Sequence, residues 1–134
     1  EFQEAIVIGC DQTAEYNNIQ IQKPLNYKSA ISQLTELSGQ RVNFHSAICL
    51  YQKKTDILEK KVISFDVKYK KITLSQIENY LEKEKPFDCV GSVKSEGLGI
   101  TILEEINSSD PTAVIGLPLI TLVNMLSKAG ISIT

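Results

Sequence analysis

The chain has 134 residues, 43% of them hydrophobic and 22% charged, with a net charge of −2 at neutral pH. This predicts one domain over residues 1–134 with a core that needs no disulfides, and it excludes a global basic field for nucleic acid. No apolar run reaches the roughly 18–20 residues needed to cross a bilayer. The three cysteines, Cys10, Cys49 and Cys89, lack metal-ligand spacing and read as thiols of a reducing cytoplasm.

Glu1 rather than Met heads the residues, and a strongly apolar strand follows almost at once; the expectation is a processed, truncated or engineered start. Ala5 to Gly9 is a continuous apolar run, which predicts a strand covered on both faces. It delivers Cys10, Asp11 and Gln12 at its C-terminal end, where ligand-binding residues gather in open α/β sheets. The plainer reading of Asp11 is a turn or cap residue. Asn17-Asn18 is a turn signal, Ile19 to Gln22 alternates, and Pro24 closes the segment and biases Lys23 to an extended conformation. A lysine held that way can point at a phosphate as a compact charge, or sit in an ordinary surface loop.

Asn26 predicts the cap of a helix running to about Ser38, with Gly39 as its stop and Tyr27, Ala30, Ile31, Leu34 and Leu37 as its apolar stripe. Arg41 to Tyr51 and Ile57 to Tyr69 read as the two strands of a long antiparallel hairpin. His45 stands without a Cys or carboxylate cluster and reads as a satisfied or solvated side chain rather than a ligand. Thr73 and Gln76 form a capping-box pair opening a helix with Leu74, Ile77, Tyr80 and Leu81 inward, and Glu82 to Lys85 as its solvated last turn. Ile100 to Ile106 returns as a strand, a polar loop follows to Pro111, and a last helix starts near Pro118 and stops at Gly130. Its expected buried face is Leu119, Leu122, Val123 and Leu126. Strands alternating with helices around an inserted hairpin make an α/β domain with a mixed, twisted sheet and flanking helices.

The stretch Asp88 to Gly99 carries Gly91, Gly97 and Gly99, which mark a backbone that bends sharply or approaches something closely. If Ser92 to Glu96 is extended, Ser92, Lys94 and Glu96 share one face and present a hydroxyl, an ammonium and a carboxylate. Such a set suits a nucleotide; the alternative is a Gly-rich loop with a solvated Lys and Glu.

With these residues in place the chain resembles the Maf family of nucleotide pyrophosphatases. Asp88 to Gly99 is similar to the family pattern D-C-A-G-S-Y-K-I-E-G-L-G, and Ile8 to Ala14 to I-G-S-D-Q-V-A. Lys23-Pro24 matches the family's K-P element, and Asp110 to Leu119 is similar to D-P-T-A-L-I-G-L-P-L. Cys10 stands for serine, Val93 for an aromatic and Ser95 for isoleucine. Asp11-Gln12 and the Lys94-Ser95-Glu96-Gly97 ending resemble the branch acting on 7-methyl-GTP rather than the dTTP/UTP branch. Family members carry, before this point, an S-x-S-P-R-R-like phosphate loop and a helix, so phosphate-gripping arginines are expected outside these residues.

The resemblance implies a Maf/Ham1-like fold and hydrolysis of a nucleoside triphosphate to its monophosphate and pyrophosphate, with a divalent metal, Mg or Mn. Asp11 is then the expected general base and a candidate metal ligand, and Lys23 and Lys94 neutralise the triphosphate. Gln12 and Glu96 read the base, and Ser92 donates to a phosphate or the sugar. A methylated guanine carries positive charge and offers its N1–H and exocyclic amine, which suits a carboxylate. The expected partner is a small-molecule nucleotide, with neither nucleic acid nor membrane, and a homodimer formed through an unpaired sheet edge. Two other readings stand beside this one: a nucleotide-binding module impaired in catalysis, and a regulatory protein linked to septum formation.

Overall fold

The computed structural model describes residues 4–134, and the elements below are those found among them. They are β1 (Ile6–Tyr16), β2 (Ile19–Ile21), α1 (Tyr27–Leu37), β3 (Arg41–Gln52), β4 (Ile57–Tyr69), α2 (Leu74–Glu84), β5 (Leu103–Asn107) and α3 (Leu119–Lys128). The five strands form one sheet in the order β2-β1-β3-β4-β5. β1–β2 and β4–β5 pair antiparallel, Tyr16 opposite Ile19 and Val67 opposite Ile106. The α/β class, the inserted hairpin and the flanking helices are as expected, and the sheet is antiparallel rather than mixed.

Local sequence explains most of the boundaries. Asn17 and Asn18 both take positive φ, 52° and 62°, the requirement of a two-residue turn that matches strand twist. Asn26 caps α1 through its Oδ1, which accepts from Ser29 N at 2.9 Å. The Thr73–Gln76 pair is reciprocal: Gln76 N donates to Thr73 Oγ1 at 3.3 Å and Thr73 N to Gln76 Oε1 at 2.8 Å.

The described residues sort into two compact units, and residues of β1, β3 and β4 fall in both. One comprises the described part of Glu1–Gln12, His45–Ser64 and Ser108–Thr134. Its core is Ile48, Leu50, Leu122 and Met125, with Ile6, Ile57, Leu126 and Ala129 packed against it. The other comprises Thr13–Phe44 and Phe65–Asn107. There Ala30, Leu34 and Leu37 of α1 and Ile77, Tyr80 and Leu81 of α2 are buried, and Phe44 stacks on Phe65 at 5.3 Å between ring centroids. Truncating Leu34 to Ala would cost about 2–5 kcal/mol by leaving a cavity.

Five expectations need correcting. The first strand does not stop at Gly9 but runs to Tyr16, because Ala14 to Tyr16 are held in pairing by β2; Asp11 therefore lies mid-strand. Its start is not covered on both faces either: Val7 and Ile8 are 58% and 43% exposed. Leu74 is exposed, whereas Ile77, Tyr80 and Leu81 point inward as expected. In α3 the buried face is Thr121, Leu122 and Met125, with Leu119 and Val123 exposed, because Asp110 draws Thr121 inward. The last strand begins at Leu103, since Leu98–Ile102 forms a 3-10 turn. No helix among the described residues is long and apolar enough to cross a membrane.

Candidate functional site

Asp11 and Gln12 belong to the first unit, and alternation along β1 sends their side chains to opposite faces. Gln12 turns inward: its Nε2 donates to Ser46 Oγ at 3.0 Å and to the Ala113 carbonyl at 2.9 Å. With the amide nitrogen occupied, Oε1 is the atom it can offer a ligand. Asp11 is exposed, and its Oδ1 accepts from Gln12 N at 2.8 Å. It lines a groove of about 490 Å³ together with Gly9, Ala47, Cys49, Lys60, Lys61 and Val62. Lys60 and Lys61 were no part of the sequence-based candidate set. They sit in the charged middle of a hairpin strand, where sequence gives no sign that they share a groove with Asp11.

Cys10 also lines the groove, and its Sγ donates to the Gly116 carbonyl at 2.7 Å. Burial, followed by the charge of Asp11, pushes the Cys10 thiol above its ordinary range. Cys10, Cys49 and Cys89 are all free thiols. His45 Nδ1 lies 2.8 Å from Ser64 Oγ, in line with a satisfied histidine.

Lys23, Ser92, Lys94 and Glu96 belong to the second unit. Lys23 is exposed in the loop before α1, with Pro24 buried beside it. Leu25 N donates to the Phe87 carbonyl at 2.9 Å, which ties this loop to the segment leading into the Gly-rich stretch.

That stretch is not extended. Val90–Ser92 is a 3-10 turn with Gly91 at φ 70° and Ser92 at φ 54°, and residues 95–97 form a second turn. Ser92, Lys94 and Glu96 therefore do not share a strand face. The reason is a set of side chains that hold the backbone: Tyr69 Oη donates to the Gly91 carbonyl at 2.9 Å and Tyr80 Oη to the Ser92 carbonyl at 3.1 Å. Lys94 N donates back to Tyr80 Oη at 3.2 Å. Ser92 is buried and its hydroxyl donates to Gln33 Oε1 at 2.5 Å, a bond with which donation to a phosphate or sugar would compete. Lys94 lies 3.2 Å from Glu84 Oε1, and that bond raises its pKa. Glu96 is exposed.

Glu84 departs from the expected solvated last turn of α2. Its side chain is only 10% exposed, and Oε2 accepts from Leu98 N at 2.6 Å. The Leu98 N–H is the main cause holding its carboxyl below the usual range; burial opposes it and Lys94 adds to it.

A family model described as Maf-like protein matches residues 1–129. The chain belongs to this family. Within it, the chain is 46% identical over 132 residues to the 7-methyl-GTP pyrophosphatase of Methylobacillus flagellatus, covering 98% of the chain and 69% of that protein. It is 45% identical over 129 residues to the 7-methyl-GTP pyrophosphatase of Nitrosospira multiformis, 96% of the chain and 65% of that protein. The like-named Burkholderia pseudomallei protein is 45% identical over 126 residues, 94% of the chain and 59% of its own length. The chain thus spans between 59% and 69% of these Maf-like relatives. The Maf-like match runs through Asp11 and Gln12 and through the whole Asp88–Gly99 stretch.

Proposed function

We propose that the chain carries the chemistry of a nucleoside triphosphate pyrophosphatase acting on 7-methyl-GTP or a related modified nucleotide, with Asp11 as general base. The observation that carries this reading is the 46% identity to a protein named 7-methyl-GTP pyrophosphatase over 98% of the chain. The α–β anhydride is split: a water oxygen bonds to phosphorus, the bridging P–O bond breaks, and pyrophosphate leaves. Asp11 takes the water proton, a role supported by its exposure on the groove wall.

Lys23 and Lys94 act as point charges on the triphosphate. An ammonium has three donors, so Lys94 can keep its bond to Glu84 and still offer two to phosphate oxygens. Glu96 accepts from the N1–H and exocyclic amine of the methylated base, and Gln12 contributes Oε1 to the same discrimination.

Among the described residues no three or more His, Cys, Asp or Glu side chains cluster to hold an ion. In this proposal Mg or Mn would arrive with its nucleotide, since such ions take most ligands from phosphates and water and only one or two from carboxylates. Asp11 would be the protein's donor. The ion supplies neutralisation of charge on the phosphoryl oxygens.

The test is pyrophosphate release from 7-methyl-GTP, GTP, dTTP and UTP with Mg or Mn, on the chain and on Asp11→Asn. The expected result is release from 7-methyl-GTP in preference to the other three by the parent, and loss of release from every nucleotide in the variant. Parent-rate turnover by Asp11→Asn would remove the base role, and binding without release would leave a nucleotide-binding module.

A further inference from the structure

Glu84 stands where a helix gains nothing from an acid. The last turn of α2 is the negative end of its dipole, which favours cations such as Lys83. The helix closes without Glu84's carboxylate, because Lys85 takes the left-handed conformation and its N–H returns to the Leu81 carbonyl at 3.1 Å. Glu84 nonetheless lies one turn beyond Tyr80 and Leu81, on the buried stripe begun by Ile77. Its neighbours Glu82, Lys83 and Lys85 are exposed.

The carboxylate grips both ends of one turn. Oε2 accepts from Leu98 N at 2.6 Å, and Oε1 meets Lys94 Nζ at 3.2 Å. Between them Gly97 N and Gly99 N both donate to the Lys94 carbonyl at 3.0 Å. The fit is close: a Cβ on Gly97 would lie 2.5 Å from Glu84 Oε2, and one on Gly99 would overlap the Lys94 backbone. A lysine head on a flexible four-carbon stem has no fixed position of its own. Here it has one, with 43% of the side chain still exposed for a ligand.

We propose that Glu84 is the positioning residue that places the Lys94 ammonium for an anionic ligand of the nucleoside triphosphate class. The ligand part rests on the reading of Lys94 as a charge on the triphosphate. Glu84→Gln is the informative change, since it keeps an acceptor for Leu98 N at nearly the same volume and removes the charge that holds Lys94.

Two measurements on the full chain decide it. In the first, the lysine side chains are titrated by carbon-13 NMR, with Lys94 assigned from Lys94→Ala; in Glu84→Gln the Lys94 pKa is expected to fall. In the second, pyrophosphate release from 7-methyl-GTP is followed for Glu84→Gln, Lys94→Ala and the double variant. Glu84→Gln is expected to raise KM by about 5–10-fold with a smaller change in kcat, and to add nothing once Lys94 is alanine. Where turnover is absent, the Kd of 7-methyl-GTP is read in place of KM. A Lys94 titration unmoved by Glu84→Gln, or effects that multiply in the double variant, would overturn the proposal, because a merely structural carboxylate behaves so. If Lys94→Ala leaves KM or Kd unchanged, the functional reading of Lys94 fails, and the titration alone then decides whether Glu84 positions it.

Discussion

Asp11 projects from the middle of β1 into a solvent-open groove, so its carboxylate can be altered without disturbing a core contact. Asp11→Asn is therefore expected to lower pyrophosphate release by roughly 10²–10⁴-fold, the usual worth of a general base, while the melting temperature stays within about 2 °C. Paired activity and thermal-melt measurements check both halves. Glu96 is likewise exposed on its turn, and Glu96→Gln is expected to cut the kcat/KM preference for 7-methyl-GTP over GTP by about tenfold without changing stability. Competition between the two nucleotides in one assay reads that ratio. Cys89 makes a different kind of prediction. Burial first, and the charge and hydrogen bond of Asp88 next, push its thiol up to about 11. Iodoacetamide should label it slowly at pH 8 and faster as the pH climbs toward 11, because the thiolate is the reacting species. A labelling rate already flat between pH 8 and 9 would contradict this.

At the level of elements, the connection into α3 depends on one buried acid. Asp110 accepts from Thr121 N at 2.8 Å, Thr121 Oγ1 at 3.0 Å and Thr112 Oγ1 at 3.1 Å. Asp110→Ala leaves these donors without their acceptor and is expected to cost about 3 kcal/mol, read by urea unfolding. This contact also shows where sequence stopped being legible. Turns and caps were readable because their chemistry is local: Asn17-Asn18, Asn26 and Thr73–Gln76 each satisfy backbone groups within three residues. The buried face of α3 was not, because it is set by an acid eleven positions before Thr121 in the chain. The length of β1 escaped for the same reason, being fixed by a partner strand across a turn. Among the candidate residues, the Gly-rich stretch announced itself through its glycines, whereas Glu84 looked like one more member of a solvated charged run.

Across the whole molecule, acid should act on both units together. Burial raises the Asp110 carboxyl, but the Thr121 amide and hydroxyl and the Thr112 hydroxyl outweigh it and the net shift is downward; Glu84 is also held low. A carboxylate with a depressed folded pKa contributes stability that is fully present above its unfolded value, about 3.9 for Asp and 4.3 for Glu, and is lost as pH falls through the folded one. Stability is therefore expected to hold from about pH 5.5 upward on account of these two groups, and to fall below about pH 4. Circular-dichroism urea titrations at stepped pH test this, with Asp110→Asn closing its gap to the parent as pH drops. The chain's membership of the Maf-like family was legible from four short motifs spread along it, whereas the partner of each motif side chain was not: a motif records residue types, and only the fold records which neighbour each one meets.

The turn from Lys94 to Gly99 has its course set by backbone bonds, a carboxylate from α2 and, at Gly99, a place where a Cβ would overlap the Lys94 backbone. The side chains of Glu96 and Leu98 project from that course without defining it. In a library randomised over 94–99, folded members should keep glycine at 99, keep it at 97 only where Glu84 holds its place, and vary at 96 and 98. Ligand preference can then drift one codon at a time while the frame that displays it is inherited unchanged.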